Sequence, residues 1–368
     1  MNQTIPLVDL KAQYVSIKTE IDNAINDCLS ESNFIKGSAV GEFENDFARY
    51  LGADYCIGCG NGTDALEIIL RSLNIGRGDE VLVPSLTWIA TAEAVNNVGA
   101  EPVFVDINKD NFTIDAAKIE EKITSRSKAI IPVHLYGCPA DMDEIIAIAG
   151  NKGLNVIEDC AQAHGAEYHG RKVGTFGIAS AFSFFPSKNL GAFGDGGAVV
   201  TNNKLVTEKA RMISNHGQLH TRHSHSLIGR NSRLDTIQAS ILKVKLKHLD
   251  IWNAKRIAAS HYYKSKLTGN SNIMLPEYKQ DRVHVFHLFV IKSPYRDVLT
   301  DAFDKKNISY GIHYPKALPF IEAYSYKNHK PEDFPESARV TNEIISLPLY
   351  PEITHIQIDS VCDLILNT

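Results

Sequence analysis

The stretch SFFPSKNLGAFGDGGAVV, residues 183–200, sets one lysine, Lys188, between aromatic residues and a run of glycines. Phe184, Phe185 and Phe193 can keep water from its amine, and Gly191, Gly194, Gly196 and Gly197 let backbone approach a flat ligand. An amine stripped of water has a lowered pKa and becomes a nucleophile toward carbonyl carbon. A lysine in a glycine-rich loop is more often a solvated charge, so Lys188 needs further groups before it reads as reactive. Upstream, NVIEDCAQAHGA carries an apolar run into Glu158 and Asp159, with Gln162 three residues beyond Asp159. A carboxylate at the carboxyl end of a sheet strand lies where open α/β sheets hold their ligands, and a buried one is held ionised only by a cation or by donors. A helix cap or a structural acceptor is the ordinary alternative for Asp159. Earlier still, GNGTDALEIIL places Gly60, Asn61, Gly62 and Thr63 before an apolar helix. Free backbone N–H groups and the positive end of a helix dipole suit a phosphate there. A plain capped helix, with Thr63 or Asp64 as the cap, stays open. The turn lacks the Lys-Ser/Thr ending of a P-loop, and its glycines are not in dinucleotide spacing, which argues against nucleotide hydrolysis and nicotinamide binding.

The elements that must position these groups follow from periodicity. Between about residues 50 and 200, short apolar runs such as DEVLVPS, EPVFVDI, KAIIPVHL and NVIEDC alternate with amphipathic segments such as TDALEIILRSL and DEIIAIAGNKG. That alternation predicts parallel strands with helical crossovers covering both faces. Beyond residue 233, Leu234, Ile237, Ile241, Val244, Leu249 and Trp252 fall near helical spacing, which predicts one long amphipathic helix leaving the first domain. HVFHLFVI then reads as a strand, RDVLTDAFDKKN as a helix, and the polar, proline-bearing YSYKNHKPEDFPES as a surface loop. The expected fold is α/β, with a large domain of mostly parallel mixed sheet covered by helices over residues 1–245, including an N-terminal arm, and a smaller α+β domain over residues 246–368.

Composition narrows the function classes. With 43 acidic against 38 basic residues and no long run of one sign, the chain does not read as a nucleic-acid or membrane-surface protein. The N-terminal sequence lacks the basic-then-apolar order of a secretory signal, and no stretch approaches the length of a membrane span, so a cytoplasmic protein is expected. Six cysteines in 368 residues are too sparse for a disulfide framework. Cys56 and Cys59 form a C-x-x-C with no second pair, and the histidine-rich HGQLHTRHSHS has irregular spacing in a polar loop, so no metal site is expected.

A phosphate turn, a strand-end carboxylate and a desolvated amine, in that order along a large α/β domain, are together what pyridoxal 5′-phosphate requires. The motifs GNGTDAL, PSLTWIATAEAV, IEDCAQAHGA, SFFPSKNLGAFGDGGA, GRNSRLDTIQASIL and HYP closely resemble those of the DegT/DnrJ/StrS group of nucleotide-sugar aminotransferases, which have fold type I. The resemblance runs from IPLVDLKAQY to SLPLYPEI. It implies that Lys188 joins the cofactor as a Schiff base and shuttles the proton, that Asp159 pairs with the pyridine nitrogen, and that Gln162 lies near the phenolic oxygen. It places Ser183 with Gly62, Thr63 and Asp64 at the phosphate and Trp88 against the ring, although a tryptophan after VLVPSLT could equally be core. It implies a homodimer with shared sites, Asn231 reaching the partner's cofactor phosphate, and Arg230, His313 and Tyr314 meeting the sugar nucleotide. Surface pairing of Arg230 and Arg233 with Asp235 is the plainer reading of that segment. Some relatives carry histidine at the lysine position and dehydrate their substrate; this chain has lysine. The expected reaction is amino transfer from an amino acid, glutamate above others, to a keto group of a nucleotide-linked hexose, 3-keto ahead of 4-keto, for a surface polysaccharide such as an O-antigen. A non-aminating lyase or deoxygenase and a non-catalytic sensor on the same fold are the rivals.

Overall fold

The computed structural model describes residues 4–218 and 223–368. Its large sheet holds seven strands: β1 (Tyr55–Cys59), β2 (Glu80–Pro84), β3 (Glu101–Val105), β4 (Ser127–Ile130), β5 (Asn155–Asp159), β8 (Ala179–Ser183) and β9 (Gly197–Thr201). Between β5 and β8, the two-residue strands β6 (Glu167–Tyr168) and β7 (Arg171–Lys172) join β10 (Arg282–Val283) in a small ribbon. The large sheet runs β1-β9-β8-β5-β4-β2-β3, and only β9 is antiparallel to its neighbours. The mixed, mostly parallel sheet is the one that the alternating pattern predicts. Because β1, β2, β5 and β8 point the same way, Cys59, Pro84, Asp159 and Ser183 end at one edge, and the antiparallel β9 begins there at Gly197.

Both faces of this sheet are buried, which is why its strands read as nearly continuous apolar runs. Leu82, Val105, Ile130, Phe182 and Val200 pack into one apolar cluster, while Val81, Val83, Phe104, Ile131, Ile157 and Val199 pack into another. Cys56 and Cys59 fall in different clusters, on opposite faces of the sheet, and both are free buried thiols that burial pushes up in pKa. Strand periodicity turns the C-x-x-C apart.

Helices α1 (Leu10–Ser16), α2 (Lys18–Glu31), α3 (Ser38–Leu51), α4 (Gly62–Ser72), α5 (Ala90–Asn97), α6 (Met142–Lys152) and α7 (Lys204–Ser214) accompany the sheet. The single long helix expected after residue 233 is in fact two, α8 (Thr236–Leu246) and α9 (Leu249–Leu267). The amides of Lys247 and His248 bond the carbonyls of Val244 and Lys245, three residues back, which tightens the backbone and ends the first helix. Apolar spacing continues through the break because Val244 and Trp252 still share one cluster with Ile17 and Ile21 of the N-terminal helices.

A third cluster forms the small unit: Tyr263 and Leu267 of α9, the antiparallel pair β11 (Phe289–Lys292) and β12 (Ile344–Leu347), Phe303 of α10 (Arg296–Lys306), and Ile358 and Val361 of α12 (His355–Leu366). Ile5 also belongs to it, and its backbone pairs with Asn307 and Ser309, so the N-terminal arm expected in the large domain packs on the small one. The segment read as a surface loop departs in the other direction. It winds through short 3-10 turns into α11 (Pro335–Val340) and buries Tyr324 and Phe334 edge-on against Phe104 of the large sheet. Polar residues hid two aromatic anchors there. No helix among the described residues is long and apolar enough to cross a membrane.

Candidate active site

At the carboxyl edge of the sheet lies a cavity of about 770 Å³, lined by residues of the β1–α4 turn, the β2–α5 connection, the end of β5, the β8–β9 segment and the small unit. Gly62, Thr63, Asp64, Trp88, Asp159, Gln162, Ser183, Lys188, Arg230, His313 and Tyr314 all line it. Asn231 does not; it is exposed, its backbone bridged to Asn215. Residues 219–222 of the histidine-rich loop lie outside the described residues.

The β1–α4 turn leaves backbone donors open at the start of a helix, an arrangement that suits an anion. Asn61, in extended conformation, caps α4 by accepting from the Asp64 amide at 2.8 Å, so the cap is Asn61 and neither Thr63 nor Asp64. Its side-chain oxygen and position just before the first helical residue meet the usual N-cap requirement. Among the described residues the amides of Gly62 and Thr63 have no partner. A Cβ on Gly62 would come within 2.7 Å of the Ser183 Cβ, and one on Gly197 within 2.3 Å of the Asn61 carbonyl. Glycine therefore lets the helix end, the end of β8 and the start of β9 crowd together, with the Ser183 side chain beside the free amides. Asp64 stands apart from that role: its amide is taken by Asn61 and its carboxylate by Arg230, at 2.5 Å. Arg230 is also paired with Glu67 of the same helix, not with Asp235. Arg230, Asp64 and Glu67 together form part of the cavity wall.

The two acids at the end of β5 part ways. Glu158 is fully buried and accepts from the amides of Gly174, Phe176 and Gly177 at 2.7, 2.7 and 2.8 Å, with His134 Nε2 at 3.1 Å. His134 Nδ1 accepts from the Ala140 amide, so its proton sits on Nε2 toward Glu158. With Cys160 these side chains form the one group of potential metal ligands among the described residues, but the hydrogen bonds already use the imidazole and both carboxylate oxygens. Asp159, 5% exposed, lines the cavity. Its Oδ1 accepts from the Ala161 amide at 3.1 Å and its Oδ2 from Thr91 Oγ1 at 2.9 Å. Burial raises its pKa; those two donors, and then the charge of Lys188, oppose the rise without cancelling it. Thr91, at the start of α5 and itself 3.1 Å from Thr87 Oγ1, was not legible as a site residue. Nothing in the sequence distinguishes this threonine from an ordinary helix-start residue.

Gln162 accepts from the Tyr136 amide at 2.6 Å and donates to the Tyr314 hydroxyl at 3.1 Å. Trp88 is 58% exposed, so it is not core; its ring lies 5.6 Å from that of Tyr314, tilted, and faces the opening. His313 Nδ1 lies 2.8 Å from Ser346 Oγ, and burial followed by the charge of Lys188 pushes its pKa down to about 4, which keeps it neutral near pH 7. His287, which the strand reading of HVFHLFVI passed over, also lines the cavity, and burial drives its pKa well below the usual histidine value.

Lys188 follows β8 in a turn closed by its amide on the Phe185 carbonyl at 2.9 Å. Burial lowers its amine to about 8, against which the Asp159 charge works only in part. Of the three aromatic residues expected to shield it, Phe184 is buried beneath the turn, Phe185 lines the cavity, and Phe193 lies instead over Lys245. The arrangement therefore offers an anion cradle, a buried carboxylate and a partly neutral amine around one cavity with a flat aromatic at its mouth.

Residues 15–366 match the profile of the DegT/DnrJ/EryC1/StrS aminotransferase family. The chain belongs to that family. Across all of its length and 98% of the relative's, this aminotransferase is 44% identical to the UDP-N-acetyl-3-dehydro-alpha-D-glucosamine 3-aminotransferase of Acidithiobacillus ferrooxidans. It is 43% identical, over 95% of its length and 94% of the relative's, to a pleiotropic regulatory protein of Geobacillus stearothermophilus. The crystal structure of S. venezuelae DesV in complex with a ketimine intermediate superposes with a TM-score of 0.96 at 42% identity, covering 99% of this chain and 98% of that one. The fold is thus that of the fold type I aminotransferases, whose cofactor is pyridoxal 5′-phosphate.

Proposed function

We propose that this aminotransferase binds pyridoxal 5′-phosphate in the cavity described above and moves an amino group from glutamate to the 3-keto group of a nucleotide-linked hexose. The convergence of Lys188, Asp159 and the free amides of Gly62 and Thr63 on one cavity carries the reading. These residues fit the cofactor: the α4 amides and Ser183 would take the phosphate, Asp159 the ring nitrogen, Gln162 and Tyr314 the phenolic side, and Trp88 one face of the ring. When bound, the cofactor supplies an electron sink for the carbon that loses its proton. Lys188 holds the cofactor and then, as a free amine, carries the proton between reacting carbons. His313, Tyr314 and Arg230, which also line the cavity, would meet the sugar nucleotide, Arg230 from its place beside Asp64 and Glu67. The similarity to a 3-aminotransferase favours the 3-keto position over the 4-keto one, and an amino sugar of a surface polysaccharide is the product's destination. Six buried free thiols accord with a reducing, cytoplasmic setting. A reactive amine beside an acceptor for the ring nitrogen argues for catalysis over a sensor. Glutamate mixed with holoenzyme should convert the cofactor's absorbance to that of its amine form, and a panel of 3-keto and 4-keto sugar nucleotides followed by mass spectrometry should yield amino product only from the former. Product from the 4-keto set alone would overturn the regiochemistry, and no absorbance change the transamination.

The working unit is a homodimer whose sites are shared. Asn231 is exposed and outside its own chain's cavity, yet adjoins Arg230, which lines it, so a two-fold partner can receive Asn231 at its phosphate. A Lys188→Ala chain and an Asn231→Asp chain, each inactive alone, should regain activity after subunit exchange. With equal mixing, about a quarter of all sites are free of both defects. Confirmed heterodimers without recovery would show that both residues serve the same chain's site.

A further inference from the structure

Lys245, in the last turn of α8, is 1% exposed, and nothing in the reaction above uses it. Its ammonium donates to the Gly191 carbonyl at 2.7 Å and to the Gln13 side-chain carbonyl at 3.0 Å, and lies 4.6 Å from the centre of the Phe193 ring. Gly191 and Phe193 belong to the glycine-rich segment that starts at Lys188. A buried ammonium is costly unless acceptors surround it, so the segment that supplies them is held to the helix. The turn is also closed on itself, since a Cβ on Gly191 would meet the Pro186 carbonyl oxygen at 2.2 Å. Between Lys188 and Gly191, the Asn189 side chain donates to Asn253 Oδ1 at 2.8 Å and to the Val285 carbonyl at 3.1 Å. Lys188 is therefore followed directly by two anchors, one of them charged.

We propose that Lys245 is a positioning residue: by donating to the Gly191 carbonyl it fixes the turn that presents Lys188 to the cavity. Its catalytic consequence rests on the role proposed above for Lys188, whereas the holding of the turn does not. The neighbours of the ammonium are uncharged, and Glu352 is the acid whose charge reaches it. No cation in the site depends on Lys245 for its own charge; the effect runs through backbone geometry.

Hydrogen exchange of the peptide spanning residues 184–194, read by mass spectrometry on the full-length holoenzyme, tests the anchor directly. Lys245→Met should raise its exchange by about tenfold or more, as expected when a local opening loses a principal hydrogen bond. The same variant should lower kcat by about tenfold with KM for the keto sugar unchanged, because only the placement of Lys188 is disturbed. Val244→Ala is the control: it removes volume from the cluster with Ile17, Ile21 and Trp252 and should lower Tm without moving either readout. Unchanged exchange in Lys245→Met, or faster exchange with unchanged kcat, would overturn the proposal. If Lys245→Met does not fold, Phe193→Leu decides; Phe193 is 42% exposed, and exchange of the same peptide in this variant should rise about threefold. No rise there would also overturn it. Failure of the Lys188 reading shows up separately, as a borohydride label on another lysine of the parent enzyme.

Discussion

A Lys188→Ala chain is expected to fold as the parent does and to lose amino transfer by at least about 10²–10⁴-fold, the usual contribution of a positioned proton carrier. Loss of covalent attachment to the cofactor adds to that. The fold should survive because the turn is closed by backbone, through the Lys188 amide and Phe185 carbonyl, and by the anchors at Asn189 and Gly191 just after it. The side chain contributes a charge that burial disfavours. That penalty holds the amine at about 8 and leaves about a quarter of it neutral at pH 7.5, against about one part in a thousand for an ordinary lysine. The sign follows directly: the attacking form is the neutral one, so capture of pyridoxal 5′-phosphate by cofactor-free enzyme should speed up as pH rises and level off above about 8. Borohydride reduction of the holoenzyme followed by peptide mapping should mark Lys188. Lys245 makes a stringent internal control, because burial lowers its amine to about 8 as well, yet its protons are committed to Gly191 and Gln13. Label on Lys245, or capture of cofactor that falls as pH rises, would contradict the assignment.

What the sequence disclosed here, and what it concealed, divides along a physical line. The sheet was legible because burial on both faces forces apolar runs, and the positions of Asp159, Ser183 and Lys188 were legible because they follow such runs directly. Gly62 could be singled out as a glycine, but its reason, the approach of Ser183 to 2.7 Å of a would-be Cβ, is a contact across more than a hundred residues. Three-dimensional pairing was the hidden part. Arg230 suggested pairing with Asp235, and instead closes on Asp64 and Glu67 of α4, from where it lines the cavity. Thr91 entered the site only because α5 brings its hydroxyl to Asp159. The apolar stripe through residues 234–252 spoke for one helix, since a stripe records which residues are buried and not whether the backbone between them is continuous. In the segment around Tyr324 and Phe334, two aromatic residues among many polar ones anchor the chain against Phe104, a signal that average polarity conceals.

Asp159→Asn is expected to slow the half-reaction with glutamate by about 10²–10⁴-fold, from the roughly 3–5 kcal/mol lost when a buried charge is deprived of its ionic partner. The substitution isolates charge unusually well in this setting. Asparagine retains one acceptor oxygen for the Ala161 amide, and its NH₂ then faces Thr91, whose hydroxyl can turn to accept and donate onward to Thr87, 3.1 Å away. The Thr91 hydrogen bond therefore reverses direction and the Ala161 bond is kept, so neither is broken. What cannot be kept is the anion. Burial already raises the Asp159 pKa, and the charge of Lys188 opposes the rise only in part, so the carboxylate is poised to be held ionised by a second cation at the ring nitrogen. With asparagine the group facing that nitrogen is neutral, the ring loses its proton more readily, and its capacity to accept electrons from the substrate carbon weakens. Both the glutamate half-reaction, followed by absorbance under single-turnover conditions, and the thermal midpoint of the variant should be measured. A midpoint within a few degrees of the parent with the rate reduced by about 10²-fold or more bears out the role. A half-reaction within threefold of the parent's would assign Asp159 to the fold alone, as an acceptor for Thr91 and Ala161, and would leave the ring nitrogen to some other group in the cavity.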